Sequence, residues 1–309
     1  MIEFFVESDN KIYEISELVT KVSYTDKLND GCSKLDFSYI SDDLIIRNGS
    51  VVKFKYNKVN IFYGYVFKVD INKQKEINII AYDQLRYCKT KDTIRIENDT
   101  ATTLVKKMCN YFDLKYGTLT DTEYILPVRI QDSNTWLDII YTGISDTLMN
   151  SDKKYCLRDE FGRIAMRDLE DLQLGLILGD KSLVYDFNYG KSIDDGFYNL
   201  IKIQDKNNSQ FIESKDQESI NKYGLIQYFD VASEKMNASQ IKSKADILLK
   251  LYNREQETLS IECLGDTSIR AGSSFYGLIS DINLDKRLIT KSVTHKYLPL
   301  HTMSLEVMI

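Results

Sequence analysis

Apolar and polar residues alternate through the opening stretch of the chain, which reads as β. Val51 to Tyr56 forms a short strand after the turn signal Arg47-Asn48-Gly49-Ser50. In the longer strand that follows, Ile61, Tyr63, Tyr65, Phe67, Val69 and Ile71 are expected to share one face. Asn72-Lys73-Gln74-Lys75 turns the chain into Ile77 to Tyr82. This β-meander suits a small barrel.

The period then changes. Asp99 or Thr100 is positioned to cap a helix with Ala101, Leu104, Val105, Met108, Cys109 and Phe112 on one stripe, stopped by Gly117. Ser133 is expected to cap a second helix that presents Trp136, Ile139, Ile140, Ile144 and Leu148. A hairpin follows, Lys154 to Arg158 and Arg163 to Met166, turning at Asp159-Glu160-Phe161-Gly162. Strand patterns return at Leu183 to Phe187 and Tyr198 to Ile203. Asp205 to Ser219 reads as a polar loop, Asn237 opens a helix carrying Ile241, Ala245, Leu248, Leu249 and Tyr252, and strands run from Thr258 to Ile309.

A repeat is visible. Leu35-Asp36-Phe37 precedes Ile46-Arg47-Asn48-Gly49-Ser50, and Leu259-Ser260-Ile261 precedes Ile269-Arg270-Ala271-Gly272-Ser273. Three strands follow in both cases, and Gly49 and Gly272 mark tight turns. The expected architecture is mainly β with α+β parts. Residues 1–88 form a first β-barrel domain, 89–183 an α+β domain, 184–206 with 258–309 a second, similar barrel, and 207–257 an inserted segment with a helix. Two similar barrels per chain would give six similar units in a trimer, a natural adaptor between six-fold and three-fold partners.

Composition narrows the classes. The chain has 309 residues, 43% hydrophobic and 28% charged, enough apolar material for more than one core. Pro127 and Pro299 are its two prolines, so no Pro-rich linker separates the domains. A net charge of -6 argues against a nucleic-acid-binding groove, though it suits a channel through which DNA slides. Five scattered cysteines, Cys32, Cys88, Cys109, Cys156 and Cys263, lack CxxC spacing and read as free, mostly buried thiols. No stretch approaches a membrane span, and the start has no basic, apolar leader pattern, so synthesis and folding in the cytoplasm are expected.

Several segments carry a family likeness. They are Asp99 to Cys109, Lys153 to Gly162, Tyr223-Gly224-Leu225-Ile226-Gln227, Leu264-Gly265-Asp266, Ile269 to Ser273, and His301 to Leu305. In this order they resemble the XkdQ/YqbQ proteins of PBSX-like prophages, which are baseplate hub proteins. Those proteins are in turn similar to the hubs of Mu-like and T-even phages and to the base of type VI secretion spikes. The opening barrel matches least. The resemblance implies a trimeric ring that ends the tail tube and holds the spike, in a phage or phage-tail-like bacteriocin. It implies tube or tube-initiator, spike and baseplate wedge proteins as partners. It carries no catalytic, cofactor or metal residues.

Catalytic alternatives are thin. His295 and His301 could join Cys263 or Asp281 at a metal, but no HxH, CxxC or HExxH spacing is present. No GxSxG elbow exists for a nucleophile. A cell-wall hydrolase would need two carboxyls across a cleft. The adjacent pairs Asp159-Glu160 and Asp194-Asp195 read more simply as turn residues. Gly175 and Gly179 lack the Lys-Ser/Thr of a phosphate loop. The 21 tyrosines could form a carbohydrate-binding face, though barrel core and subunit contacts explain them equally. The helix opened by Asn237 could serve a partner, but its single stripe is accounted for by its own domain.

Overall fold

The computed structural model describes residues 1–8, 11–41, 44, 46–194, 196–206, 209–232 and 236–309. The chain divides into two compact units, residues 1–187 with 260–309, and residues 188–259.

The first unit opens with β1 (Ile2–Ser8), β2 (Lys11–Glu14), β3 (Val19–Lys27), β4 (Lys34–Ile40), β5 (Val51–Tyr56), β6 (Val59–Ile71) and β7 (Glu76–Tyr82). Then come β8 (Lys91–Ile96), α1 (Ala101–Tyr111), β9 (Tyr116–Leu119), β10 (Arg129–Thr135), α2 (Trp136–Ser151), β11 (Tyr155–Asp159), β12 (Ile164–Asp168) and β13 (Gln173–Gly179). The chain leaves along β14 (Val184–Ser192). The second unit holds β15 (Leu200–Gln204), β16 (Phe211–Lys215), α3 (Gln217–Tyr223), β17 (Gln227–Val231) and α4 (Ala238–Tyr252). The chain returns along β18 (Gln256–Leu264) and closes with β19 (Ser274–Ile279), β20 (Leu284–Lys296) and β21 (Thr302–Met308).

The helices start where side chains satisfy their free amides. Thr100 and Thr103 form a reciprocal capping box on α1, and Asn237 and Gln240 form another on α4. α2 is capped by Thr135 rather than Ser133, which lies at φ 57° in a bulged stretch of β10. Gly117 does not stop α1. The helix ends at Phe112, and Gly117 lies within β9. The stripes of α1 and α2 meet around Leu104, Met108, Trp136 and Ile140, which are all buried.

The strand order of the large sheet is β14-β18-β21-β20-β3-β4-β7-β6-β5-β1-β2, with β19 beside β20 and β13 beside β19. The repeat is plain in it: β4-β7-β6-β5 in the first half recurs as β18-β21-β20-β19 in the second. Two closed barrels were expected. Among the described residues no series of pairings returns to its first strand, so no barrel closes. The reason is β3, which pairs with β4 on one edge and with β20 on the other. The edge that would seal the first copy instead joins it to the second.

The face assignment on β6 is also corrected. Pairing of β6 with β5 skips Ile61, and pairing with β7 skips Phe67. Each bulge inserts one residue and reverses which side chains face inward. Phe62 and Val66 therefore enter the core, while Tyr63, Tyr65 and Phe67 stay half-buried outside and Val69 returns to the core side. Ile71 is 69% exposed.

In the second unit β16, β15 and β17 form a sheet covered on one face by α4 through Ile201, Ile203, Ile241 and Ala245. The polar stretch expected as a loop contains β16 and the start of α3 instead, because Asp216 caps α3 and Ser214 faces Asp246 on α4.

A candidate assembly joint

The two repeat turns have the same backbone. Ile46 and Ile269 are buried, and Gly49 and Gly272 both sit at φ +87°, a region that suits glycine. Ser50 N–H donates to the Arg47 carbonyl at 3.1 Å, and Ser273 N–H to that of Arg270 at 3.0 Å. Gly49 N–H reaches the Val66 carbonyl at 2.8 Å, and Gly272 N–H the Thr290 carbonyl at 2.9 Å. The bulge at Phe67 is matched by one at Lys291.

The arginines diverge. Arg47 is exposed, whereas Arg270 turns inward. Its Nε donates to Asp26 Oδ2 at 2.9 Å, and its Nη1 donates to the Asp159 carbonyl at 3.0 Å. The guanidinium lies 5.9 Å from the Tyr24 ring centre. Thus one side chain ties the second repeat to β3 of the first and to the β11–β12 hairpin. Asp83 and Asp159 extend this buried group. Asp83 accepts from Ser33 N–H at 2.8 Å, from the Ser33 hydroxyl at 2.6 Å and from Leu85 N–H at 2.9 Å. Asp159 accepts from Gln84 Nε2 at 3.0 Å and from Gly162 N–H at 2.5 Å. Burial, and then the neighbouring Asp159 charge, push the Asp83 carboxyl well above the usual carboxylate range. Burial also raises Asp159.

His295 and His301 are brought together, with Nδ1 and Nε2 3.0 Å apart, and His295 Nε2 lies 2.9 Å from the Ile269 carbonyl. A carbonyl accepts, so His295 carries its proton on Nε2 and its Nδ1 accepts from His301 Nε2–H. Burial pushes the His295 imidazole down to about 4, consistent with this neutral pairing. Cys263 is not drawn into the pair; its thiol faces the Met303 carbonyl. Asp281 is exposed on a one-turn helix. Among the described residues no group of three or more His, Cys, Asp or Glu is arranged to hold a metal.

The other candidates also have local partners. Glu160 is partly buried, which raises its pKa, but Arg158 and Arg167 outweigh this and hold it below the ordinary range. Phe161 and Gly162, both at positive φ, form the two-residue turn between β11 and β12. Asp194 is exposed, and Asp195 lies outside the described residues. Gly175 and Gly179 are residues of β13 rather than of a loop before a helix. The tyrosines on the outer face of β6 meet neighbouring rings edge to face or tilted. Tyr63 meets Tyr65 at 6.0 Å and Phe161 at 6.1 Å, while Tyr87 meets Tyr65 at 5.6 Å and Phe67 at 5.5 Å. The stripe of α4 covers its own sheet. All five cysteines are free, four of them buried, with Cys32 partly so.

The sequence reading missed Arg270, Asp26 and Asp83 as a group. The signal available was the repeat itself, since it sets Arg270 beside Arg47 and invites the question of what each one meets.

A family model described as YQBQ-like matches residues 22–308. The chain belongs to the YQBQ-like family. Phage-like element PBSX protein XkdQ of Bacillus subtilis is 24% identical over 267 residues, covering 85% of this chain and 82% of the relative. Among solved structures, the 43 kDa tail protein of prophage MuSo2 from Shewanella oneidensis aligns with TM-score 0.74 at 14% identity, covering 99% of this chain and 97% of that one. The tail protein from Neisseria meningitidis aligns with TM-score 0.73 at 13% identity, covering 99% and 96%. This YQBQ-like chain therefore has the fold of phage tail proteins. Its match to the family reaches through both repeat turns, and so through the joint that links them.

Proposed function

We propose that this protein is a structural baseplate hub of a phage-like contractile tail. Three copies form a ring that joins the six-fold tail tube to the three-fold spike. The observation that carries this reading is the duplicated strand-and-turn unit, set twice in one chain within a continuous sheet. Three chains then present six similar units, which match a six-fold partner on one side while the ring keeps three-fold symmetry on the other. Tail-protein relatives and fold neighbours support the same assignment.

In this reading the work is mechanical. The ring binds tube or tube-initiator proteins, the spike and baseplate wedge proteins, and leaves a channel through which DNA passes without specific contacts. It uses no cofactor and catalyses no reaction. The four regions 1–88, 89–183, 184–206 with 258–309, and 207–257 serve as its functional parts. The chain acts as a component of a virion or bacteriocin particle. Among the described residues no helix is long and apolar enough to cross a membrane.

The test is the mass of the purified protein by light scattering over a range of concentrations, with a zymogram on Gram-positive cell walls alongside. The expected result is a species of three times the 35.9 kDa chain mass and no lytic band. A clear lytic band would replace the hub with a tail-associated hydrolase. Binding of a monomer to isolated walls would replace it with a carbohydrate-binding module.

A further inference from the structure

Within the chain, β3 of the first copy pairs antiparallel with the far half of β20 of the second, Tyr24 facing His295 and Asp26 facing Val293. The near half of β20, from Leu284 to Ile289, is occupied by β19. The repeat supplies the equivalents of both partners. The shared turn bonds set Val66 against Thr290, and the shared bulge sets Phe67 against Lys291. Residues 68–71 at the far half of β6 are therefore the counterpart of 292–295. β5 pairs with β6 only as far as Tyr65, and among the described residues no strand pairs with β6 past that point on the same edge.

The counterpart of β3 is β14. Each is the outer neighbour of its repeat's first strand, β4 or β18. Tyr24 faces Leu35 in the first copy. In the second copy Lys191 bridges to Glu257 at 3.1 Å and the Gly190 carbonyl accepts from the Thr258 hydroxyl. That register sets Tyr189 beside Leu259, which the sequence repeat aligns with Leu35. Tyr189 is thus the equivalent of Tyr24. β14 ends the strand order, so among the described residues its outer edge is unpaired.

We propose that these two unpaired edges bind each other between copies of this chain: β14 of one copy, at residues 189–192, pairs antiparallel with β6 of the next, at residues 68–71. The occupant is a second copy because the chain already makes this joint once internally and carries the unmatched half of it at either end. The equivalences set Ile71 opposite Tyr189, Asp70 opposite Gly190 and Val69 opposite Lys191. Ile71 is 69% exposed and gains a ring to pack against. The contact is heterologous, so successive copies run head to tail and the rotation per copy decides closure. The inference rests on the ring reading for its closure at three, but the edge pairing stands separately.

The experiment uses the full chain with Cys32→Ser, since Cys32 is the native thiol that is not buried. Ile71→Cys and Tyr189→Cys are made singly, checked for native circular dichroism, and oxidised alone and as a mixture up to about millimolar concentration. The mixture is expected to yield a dimer of twice the chain mass, linked 71 to 189 by peptide mapping, with neither variant dimerising alone. The chain with both substitutions is expected to form covalent species that stop at three copies. Absence of the mixed disulfide overturns the edge assignment, and so does equal dimerisation of one variant alone, which would mean a self-complementary patch. A trimer by light scattering without the 71–189 link removes this edge and keeps the ring. A 71–189 link that runs on into longer open ladders keeps the edge and removes the ring.

Discussion

Arg270 is the side chain whose removal tests the joint most directly. Replacing it with Ala deletes the 2.9 Å ion pair to Asp26, the 3.0 Å bond to the Asp159 carbonyl and the cation placed over Tyr24. Asp26 is only 4% exposed, so its carboxylate would be left without its cation in a site that water reaches poorly. Breaking such a pair from one side costs roughly 3–5 kcal/mol, far more than the net value of the intact pair. Arg47→Ala is the matched control, because it removes the same residue from the same turn at an exposed position, where about 0.5 kcal/mol or less is expected. Urea unfolding, followed by circular dichroism and by the fluorescence of Trp136, measures both. Trp136 is the single tryptophan and lies in the helical core, so it reports whether loss of the joint spreads there. The double variant Arg270→Met with Asp26→Leu removes both charges and is expected to recover at least half of the loss. If Arg270→Ala and Arg47→Ala fall within about 1 kcal/mol of each other, the inward arginine is not a tie and the reasoning fails.

The same joint makes opposite predictions at the two ends of the pH range. The His295 imidazole is depressed from 6.5 to about 4, so its contribution is complete above the unfolded value and is lost as pH falls through 4. The loss amounts to about 3 kcal/mol, and thermal melts of His295→Gln against the native chain from pH 7 to 4 should show the dependence flattened. Asp83 is raised, so its contribution is present at low pH and is lost as pH rises above the ordinary carboxylate range of about 4 through neutrality. Asp83→Asn, which carries no charge at any pH, should reduce that alkaline decline; an unchanged slope between pH 5 and 9 would count against a raised Asp83. Gly49→Ala meets nothing within 4 Å and should lose only the roughly 1–2 kcal/mol of a strained backbone, whereas the Cβ of Gly272→Ala lies 3.3 Å from Cys156 Sγ and should cost more. Equal losses in calorimetry would show that Cys156 gives way freely.

What the sequence made legible was local. The starts of α1 and α4 are written in Thr100 and Asn237, because a cap needs one oxygen within three residues of the amides it serves. The β11–β12 hairpin is written in Phe161-Gly162 for the same reason. Ser133 and Gly117 misled because both residue types also suit irregular strand backbone, and nothing nearby distinguished the two uses. The β6 faces were misread because a bulge leaves no compositional mark; Ile61 and Phe67 are ordinary strand residues, and only the partner strand shows that they are skipped. The barrels failed as a prediction for a longer-range reason. Whether β3 turns back on its own copy or reaches β20 is decided some 270 residues along the chain, by Tyr24 meeting His295 and Asp26 meeting Arg270.

Those contacts also indicate why the two copies have parted in sequence while keeping one backbone. The turn hydrogen bonds use only main chain, serine and glycine, so they survive any change at the arginine position. The side chains that differ between equivalent positions are the ones that meet different neighbours. The turn arginine is the same residue in both copies but not in the same surroundings, since Arg270 reaches Asp26 and a carbonyl while Arg47 is exposed. His295 is buried between Tyr24 and the Ile269 carbonyl, while its counterpart Ile71 stands in the open. An exposed isoleucine at the tip of a strand, in the position where the other copy holds a buried and fully bonded histidine, has the composition of a contact still to be made. A chain with two copies of a unit that joins through one edge must carry one such edge unfilled, and a neighbouring chain is the natural source of its complement.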